Sequence, residues 1–258
     1  MSRVAIVTAA GDGIGEATAH ALAAVGYSLV LVDVAADAVA GTARDIAERP
    51  PGASVGGASP ADVEVVVADV TDEHAVAGVA SRAVERFGQI DALVNVVGGS
   101  RPGKTVVDLE LAEWERLLAL NLTSTFLMCR AVIPVMERGG GGAIVNVASG
   151  AGIRGMHANP GYVAAKAGVV ALTRALAIDH SAAGIRANCV SPGPVRTPLM
   201  RRNRTPDEIA QMGERVSLLG RIGEPDELAA AIVWLASDAA SYVQGQTLEV
   251  DGGPVAVI

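Results

Sequence analysis

Several residue types that mark particular classes of protein are scarce in this 258-residue chain. The two cysteines, Cys129 and Cys189, form no CxxC pair, and the 4 histidines show no metal-ligand spacing. We therefore expect neither a disulfide nor a metal site, and a reduced, cytoplasmic setting. Basic residues number 20 against 28 acidic ones, a formal net charge of −8. This balance argues against nucleic acids and anionic membranes as partners, because both require a basic face.

Long apolar runs and large side chains are also scarce. No uninterrupted apolar run approaches the roughly 20 residues of a membrane-spanning helix, and the N-terminus has no signal-peptide layout. Aromatic residues are 3% of the chain although hydrophobic residues are 50% of it. We expect a soluble protein whose core consists of many small contacts between Ala and Val side chains.

Short apolar runs alternate along the chain with segments of helical periodicity. Most runs are continuous, which is typical of strands with both faces covered. This alternation predicts an α/β fold: a single Rossmann-like domain over residues 1–258, with a doubly wound parallel sheet of seven strands and helices on both faces. The predicted strands are Val4–Val7, Leu29–Val32, Val63–Val67, Ala92–Val94, Ile144–Val147, Ala187–Val190 and Thr247–Val250.

Capping residues and a loop mark the limits of the predicted helices. The first helix, Gly13–Val25, is closed by Gly26. Asn159 before Pro160 is the pattern of an N-cap followed by a first helical residue. The segment Arg49–Asp62, rich in Pro, Gly, Ala and Ser, predicts an exposed loop rather than a domain boundary.

The first predicted strand runs into a glycine-rich turn and then into a helix. Glycines let the backbone approach a pyrophosphate, and a helix N-terminus supplies N–H donors and partial positive charge. The spacing is not GxGxxG, so a plain tight turn is the alternative. The residues expected to bind a dinucleotide here are Gly11, Asp12, Gly13, Ile14 and Gly15.

Acidic and amide side chains follow the next predicted strands, at the edge where ligands collect in open α/β sheets. Asp33 stands about 20 residues beyond the glycines, where a carboxylate accepts from the adenosine ribose and repels a 2′-phosphate. The sequence therefore favours NAD over NADP, with a solvated strand-end acid as the alternative. Asp69, followed by Val70, accepts from the adenine amino group or caps the next helix. Asn95 lies at the same edge.

Tyr162 and Lys166 form the pair expected to perform the chemistry. They are one turn apart on a predicted helix and so share a face. Lysine occurs elsewhere only at Lys104, and the other 18 basic residues are Arg, which argues against a simple surface pair. A phenol pKa near 10 is too high for a general base, and an ammonium at about 4 Å is expected to lower it. We expect Ser149, after the fifth strand, to hold the substrate oxygen while Tyr162 transfers the proton.

Asn121 occupies a helical position where an apolar core residue is expected. A buried amide needs hydrogen-bond partners. Two explanations stay open for it. One is a structural hydrogen bond to a neighbouring helix, and the other is a water-mediated proton path from Lys166 to solvent.

The ordered set of these residues resembles the short-chain dehydrogenase/reductase family over nearly the whole chain. Thr8–Gly15 corresponds to the family motif Thr-Gly-x-x-x-Gly-x-Gly, and Tyr162 with Lys166 to its Tyr-x-x-x-Lys. The resemblance implies a homotetrameric oxidoreductase that moves hydride between NAD and a secondary alcohol or ketone. It implies a catalytic tetrad of Asn121, Ser149, Tyr162 and Lys166. It also implies cofactor contacts at Asn95, Gly98, Tyr162, Lys166, Pro192, Gly193, Val195 and Thr197.

Two positions depart from the family pattern. Ala9 replaces the first glycine of the motif, and Gly11 is expected to restore the freedom of the turn. The usual Asn-Asn-Ala-Gly reads Asn95-Val96-Val97-Gly98, which removes one amide. Both changes concern cofactor geometry rather than the tetrad, so we expect activity to survive.

Substrate-binding loops are expected at about 98–104, 149–160 and 196–217. Cations on these loops could bind an anionic group of the substrate, although solvated loop charges explain them as well. Two other functions stay open: a biosynthetic carbonyl reductase of the 3-oxoacyl type, which would prefer NADPH, and a catalytically silent NAD-binding scaffold. The loop cations are Arg101, Lys104, Arg154, Arg201, Arg202 and Arg204.

Overall fold

The computed structural model describes residues 2–48 and 62–254, so most of the predicted loop Arg49–Asp62 lies outside it. The described strands are β1 (Val4–Thr8), β2 (Ser28–Asp33), β3 (Val63–Val67), β4 (Ala92–Asn95), β5 (Gly142–Val147), β6 (Ile185–Pro192) and β7 (Thr247–Val250). They form one parallel sheet in the order β3-β2-β1-β4-β5-β6-β7. This topology confirms the predicted doubly wound α/β fold.

The helices of the described residues are α1 (Gly13–Ala24), α2 (Ala36–Ala47), α3 (Glu73–Phe87), α4 (Leu111–Leu118), α5 (Ser124–Gly139), α6 (Gly150–Arg154), α7 (Pro160–His180), α8 (Pro198–Asn203), α9 (Pro206–Val216) and α10 (Pro225–Ala236). α1 ends one residue before the predicted Val25, which is its C-cap. α7 begins at Pro160 after Asn159, as predicted, although the Asn159 side chain makes no capping hydrogen bond.

Successive side chains of each central strand enter two apolar clusters, one on each face of the sheet. On β1, Ala5 and Val7 join the cluster that contains Leu22 of α1 and Ile232 of α10. Ile6, between them, joins the cluster formed with α3, α5 and α7. Because helices cover both faces, most positions of these strands are apolar, which accounts for the continuous runs in the sequence.

β1 and β4 are sheet neighbours at the point where the strand order changes direction. Ligands of open α/β sheets bind outside the carboxyl ends of the strands at such a point. The ends of β1, β2 and β4 and the turns that follow them carry half of the residues that sequence analysis assigns to the cofactor. The fold therefore brings residues that are distant in sequence to one edge of the sheet.

Two helical segments, Leu111–Gly139 and Pro160–Ala183, are long and apolar enough to cross a membrane by length and composition, with mean hydropathies of 1.5 and 1.4. Neither segment is an uninterrupted apolar run, because charged residues such as Arg116 and Arg174 interrupt them, so they meet the criterion only as an average over a window. Both segments lie in the helical layers of the fold, and 44% and 39% of their most apolar windows is buried. Core helices meet the same criterion, so these segments are weak evidence for a membrane span.

The helix that contains Asn121 is not continuous. A π-helical turn, Ala119–Thr123, joins α4 to α5. The apolar stripe around this residue predicts an uninterrupted α-helix, so the turn is a difference from the sequence expectation. π-turns occur frequently at functional sites, since the inserted residue redirects a side chain and disturbs the regular hydrogen bonds. Asn121 is fully buried in this turn.

Candidate active site

The turn between β1 and α1 combines a strained alanine with closely packed glycines. Ala9 has a φ of 52°, in the left-handed region that favours glycine. The expectation that Gly11 restores the freedom of the turn is therefore wrong, because Ala9 itself adopts the unfavourable conformation. A Cβ on Gly15 would overlap the carbonyl oxygen of Ala9. Position 15 must consequently be glycine.

α1 leaves donors available at its N-terminus. Its N-cap residue, Asp12, is extended and makes no side-chain hydrogen bond to the first turn. A Cβ on Gly13 would lie 3.2 Å from Cγ2 of Thr197, so the turn faces the segment that follows β6. The first-turn N–H groups and the positive end of the helix dipole suit a pyrophosphate. The turn of Gly11, Asp12, Gly13, Ile14 and Gly15 therefore has the form expected of a dinucleotide cradle.

Asp33 is fixed beside this turn by two backbone groups. Its Oδ2 accepts from the N–H of Gly11 at 2.9 Å, and its Oδ1 accepts from the N–H of Ala35 at 2.9 Å. Each carboxylate oxygen can accept a further hydrogen bond. The carboxylate is thus oriented at the end of β2, where sequence analysis expects a ribose.

The other predicted strand-end residues differ in orientation. Asp69 is exposed and accepts from the N–H of Thr71 at 2.9 Å, while Asp72 caps α3. Asp69 is therefore not the helix cap. Asn95 is 3% exposed and donates to Oδ1 of Asn146 at 2.9 Å, so its amide lies within the protein rather than in the cleft. Val70 is also buried.

Gly98 lies where the loop after β4 meets two buried polar side chains. A Cβ at this position would stand 2.8 Å from Nζ of Lys166 and 2.9 Å from Oδ1 of Asn121. Only glycine leaves both side chains in place. The contact brings together the loop after β4, the π-helical turn and α7.

Lys166 points inward from α7. Its side chain is 3% exposed, and Nζ donates to the carbonyl of Val147 at 2.9 Å. Burial lowers the pKa of Lys166 to about 8. Near neutral pH the side chain is therefore still mostly an ammonium ion, held at the end of β5.

Tyr162 and Ser149 meet at the same edge of the sheet. Burial raises the pKa of Tyr162, and a hydrogen bond with the Ser149 side chain acts in the opposite direction. The expected lowering of the Tyr162 pKa by Lys166 is wrong for this geometry, because the ammonium bonds to Val147 and desolvation dominates at the phenol. Ser149 Oγ also accepts from the N–H of Ala151 at 3.2 Å as the N-cap of α6.

The Asn121 side chain is fully engaged as a donor. Its Oδ1 accepts from the N–H of Gly99 at 2.9 Å, and its Nδ2 donates to the carbonyls of Gly99 at 2.9 Å and Leu117 at 3.0 Å. These partners lie in the loop after β4 and in the preceding turn of the same helical segment. The structural explanation for Asn121 expected a hydrogen bond to a neighbouring helix, which this side chain does not make. Both side-chain N–H groups of Asn121 already donate to carbonyls. A water of a proton path could therefore bond to this residue only by donating to its oxygens.

The segment after β6 forms the opposite wall. Gly193 donates to the carbonyl of Val250 at 3.3 Å, and a Cβ on Gly193 would stand 2.9 Å from Cβ of Asp251. Val195 is 6% exposed, and Thr197 caps α8. Pro192, the last residue of β6, and these positions therefore lie on the side of the edge nearest β7, and the cofactor contacts that the resemblance implies for them stay a prediction.

Three of the six loop cations are held in ion pairs. Lys104 binds Glu113 at 2.6 Å, Arg202 lies 3.5 Å from Asp12, and Arg154 is bound by two carboxylates. Those three are consequently weak candidates for an anionic substrate group. The loop cations with no ion pair among the described residues are Arg101, Arg201 and Arg204.

Several contacts that shape the site carry no sequence signal. The carbonyl of Val147 and the backbone of Gly99 act through main-chain atoms, which every residue has. Asn159 donates to Oγ of Ser100 at 2.6 Å and so joins two of the predicted substrate loops. Asn159 carries a signal only as a helix cap, a role its side chain does not perform.

Comparison with known proteins agrees with this geometry. A family profile described as enoyl-(acyl carrier protein) reductase matches residues 8–254. The chain belongs to the short-chain dehydrogenase/reductase family. This short-chain dehydrogenase/reductase is 43% identical to cis-4-hydroxycyclohexanecarboxylate dehydrogenase of Sinomonas cyclohexanicum, over 99% of this chain and 97% of the relative. It is 37% identical to levodione reductase of Leifsonia aquatica, over 97% of this chain and 93% of the relative.

A solved structure extends the comparison to three dimensions. The short-chain dehydrogenase/reductase superposes on 7α-hydroxysteroid dehydrogenase complexed with NADH and 7-oxo glycochenodeoxycholic acid with a TM-score of 0.88. The two share 34% sequence identity, and the match covers 98% of this chain and 94% of that one. The protein is accordingly an oxidoreductase acting on CH–OH groups, and the family uses a nicotinamide cofactor. The glycine cradle at Gly13 and Gly15, beside the oriented carboxylate of Asp33, fits such a dinucleotide.

Proposed function

We propose that this enzyme interconverts a secondary alcohol and a ketone with NAD, and that Tyr162 transfers the proton. The observation that supports this assignment is the position of Lys166, buried on the carbonyl of Val147 at 2.9 Å, at the edge where the Ser149 side chain lies beside the Tyr162 phenol and lowers its pKa. An acid–base group, a hydroxyl donor and a cation are thereby held close to a glycine cradle.

The preference for NAD rests on Asp33. Its carboxylate is held by two backbone N–H groups and cannot turn away without losing both hydrogen bonds. A carboxylate in that place accepts from ribose hydroxyls and repels a 2′-phosphate.

The reaction consists of a hydride transfer and a proton transfer, and different groups carry them out. When bound, the nicotinamide supplies the hydride acceptor or donor. During oxidation Ser149 donates to the substrate oxygen, Tyr162 Oη takes the hydroxyl proton, and the hydride leaves the carbinol carbon, so that the C=O bond forms. During reduction Tyr162 returns the proton to the same oxygen. Lys166 contributes positive charge beside the site and orients the cofactor ribose.

The protonation of Tyr162 favours one direction at neutral pH. Since burial raises its pKa, the phenol carries its proton there and is ready to act as the general acid of ketone reduction. Oxidation requires the phenolate, whose formation the Ser149 hydroxyl favours before the substrate oxygen takes over its hydrogen bond.

For the substrate we propose a ring-borne secondary alcohol or ketone. Two similar enzymes are named for a hydroxycyclohexanecarboxylate and for levodione. Arg101 and Arg201, on two different substrate loops, have no ion pair among the described residues and could receive a carboxylate.

We also propose that the enzyme is cytoplasmic, as its cysteine usage indicates, and works as a homotetramer, as the resemblance implies. Large apolar side chains are exposed on α7 and after α10: Ile178 at 78% and Tyr242 at 102%. Such surfaces are typical of subunit contacts. Light scattering coupled to size exclusion measures the mass and decides the number of subunits.

Kinetics with both cofactors test the proposal. The purified enzyme is assayed with NAD and NADP on cyclohexanols, hydroxycyclohexanecarboxylates and open-chain secondary alcohols, while the absorbance of the reduced nicotinamide is followed. Tyr162→Phe should abolish turnover and leave NAD affinity nearly unchanged, whereas Ser81→Ala, at an exposed position of α3, should change neither. Activity that persists in Tyr162→Phe would exclude the proposed proton transfer.

A 3-oxoacyl-type reductase remains the second candidate, because the chain is 34% identical to the 3-oxoacyl-[acyl-carrier-protein] reductase of Thermotoga maritima over 98% of each protein. That function predicts a preference for NADPH and turnover of acyl thioesters. A preference for NAD with no thioester turnover would eliminate it.

A further inference from the structure

α6 is a single helical turn placed directly after Ser149. Ser149 caps it, and the N–H of Gly152 donates to the carbonyl of Ser149 at 2.9 Å. The turn ends with the N–H of Gly155 on the carbonyl of Ala151, also at 2.9 Å. So short a helix has little stability of its own. Gly152 packs α6 against the backbone of Lys166 and Ala167 on α7, and the position of Ser149 also depends on what holds the far end of α6.

Arg154, the last residue of α6, is bound by two carboxylates at the end of the C-terminal strand. Its Nη1 donates to Glu249 on β7, and its Nη2 donates to Oδ2 of Asp251 at 2.7 Å. The Asp251 carboxylate is 7% exposed and the Arg154 side chain 38%. The ion pair between Arg154 and Asp251 is thus shielded from solvent more than an ordinary surface ion pair.

The guanidinium of Arg154 connects the two walls of the site. It lies across Gly150, where an added Cβ would overlap Nη2. On the other side, Cβ of Asp251 would stand 2.9 Å from a Cβ on Gly193. The chain of contacts runs from the residue after Ser149 to the segment expected to hold the carboxamide of the cofactor.

We infer that Arg154 is a positioning residue, which through Asp251 fixes Ser149 relative to the segment that begins at Gly193. The inference rests on the proposed function of Ser149. Arginine is required because its planar fork reaches two carboxylates from one position, which the point charge of a lysine cannot do. Its engagement also explains why Arg154 is not the receptor of an anionic substrate group.

The test compares Arg154→Gln, Arg154→Lys and Asp251→Asn with a control. Arg130→Gln serves as the control, because Arg130 forms an exposed ion pair with Glu73 away from the site. We expect kcat to fall about tenfold in Arg154→Gln and Asp251→Asn, with KM for NAD nearly unchanged, because a slightly displaced Ser149 impairs the chemical step rather than binding. Arg154→Lys should recover part of the loss. The double variant Arg154→Gln/Asp251→Asn should be no slower than either single variant.

Hydrogen exchange adds a readout that does not need turnover. The amides of Gly152 and Gly155 should exchange faster in Arg154→Gln and Asp251→Asn than in the wild type, and Arg130→Gln should match the wild type. Unchanged exchange, or an unchanged kcat in an active enzyme, would overturn the inference. A raised KM for acidic substrates in the Arg154 variants alone would assign Arg154 to substrate binding instead. A wild type without any turnover would refute the proposed function while the exchange data still decide the role of Arg154 in holding α6.

Discussion

Lys166 on α7 donates to the carbonyl of Val147, the last residue of β5, at 2.9 Å. The hydrogen bond places a buried cation at the strand end from which Ser149 follows two residues later. A compact ammonium fits beside Gly98, whose added Cβ would already stand 2.8 Å from Nζ. The bulkier guanidinium of arginine has no such space, which explains a lysine in a chain that otherwise uses arginine almost throughout.

Lys166→Met should stabilise the protein near neutral pH and abolish turnover. Folding lowers the pKa of this lysine from about 10.4 to about 8. Between these two pKa values the unfolded chain binds more protons than the folded protein. The contribution of Lys166 to the free energy of unfolding therefore rises with pH between these values, and it is least favourable below pH 8. Removing the buried charge raises the free energy of unfolding by about 3 kcal/mol. Leaving the Val147 carbonyl without a partner lowers it by about 1 kcal/mol.

Urea unfolding at two pH values measures this effect. Near neutrality the variant should gain about 1–2 kcal/mol, and the gain should disappear toward pH 10. A variant less stable than the wild type near neutrality would show that the buried ammonium is not a net cost.

Alcohol oxidation should become faster as pH rises, and ketone reduction slower. Burial keeps the Tyr162 phenol protonated around neutrality, and only the phenolate accepts a proton. Ser149→Ala should move the rising limb of oxidation to higher pH, since the Ser149 hydrogen bond lowers the Tyr162 pKa. Ser81→Ala, on the exposed face of α3, is the control, and an equal displacement in both variants would argue against the assignment.

Ala9→Gly should raise the free energy of unfolding by about 1 kcal/mol. Ala9 has a φ of 52°, which costs a residue with a Cβ about that amount and costs glycine almost nothing. Ala77→Gly, at an exposed position of α3, should instead lower it by about 1 kcal/mol. Thermal or urea unfolding of both variants checks the prediction, and a loss of stability in Ala9→Gly would refute the argument from strain.

Asp33→Ala should weaken the preference for NAD over NADP. The change removes the carboxylate that accepts from the ribose and repels a 2′-phosphate, so kcat/KM should fall with NAD and rise with NADP. The loss with NAD should be about tenfold or more, as for a hydrogen bond to a charged group worth about 1.5–3 kcal/mol. Asp37→Ala, at an exposed position of α2, should leave the ratio unchanged. A ratio that is also unchanged in Asp33→Ala would remove the ribose assignment.

Gly98→Ala should inactivate the enzyme. Its Cβ would contact both Lys166 Nζ and Asn121 Oδ1 within 2.9 Å, so one of the two side chains must move. Gly78→Ala is the control, because a Cβ there meets nothing within 4 Å. It should be active and more stable by about 1 kcal/mol, since alanine replaces glycine inside α3. Steady-state kinetics and unfolding of the two variants separate lost function from lost stability, and full activity in Gly98→Ala would contradict the packing.

Much of the fold could be predicted from local patterns. Continuous apolar runs identify the strands because both faces of the sheet are covered, and capping residues such as Gly26 and Pro160 identify helix ends. Asp33, Ser149 and Tyr162 could be placed at one edge of the sheet because each follows a strand or opens a helix.

Contacts across the fold could not be predicted in the same way. The π-helical turn at Asn121 escapes a periodicity argument, because one inserted residue hardly alters the apolar stripe. The pKa of Tyr162 depends on burial and on where Lys166 points, which the four-residue spacing does not determine. Arg154 and Asp251 are 97 positions apart, and nothing local signals their pairing.

The Asn121 side chain is hydrogen-bonded to both the N–H and the carbonyl of Gly99. The loop after β4 therefore forms a rigid wall of the cleft. Differences in ligand size must then be accommodated on the opposite side, by α8 and α9. Engineering the enzyme to accept a broader range of alcohols should therefore begin with residues 196–217. Changes beside Gly99 should mainly lower kcat.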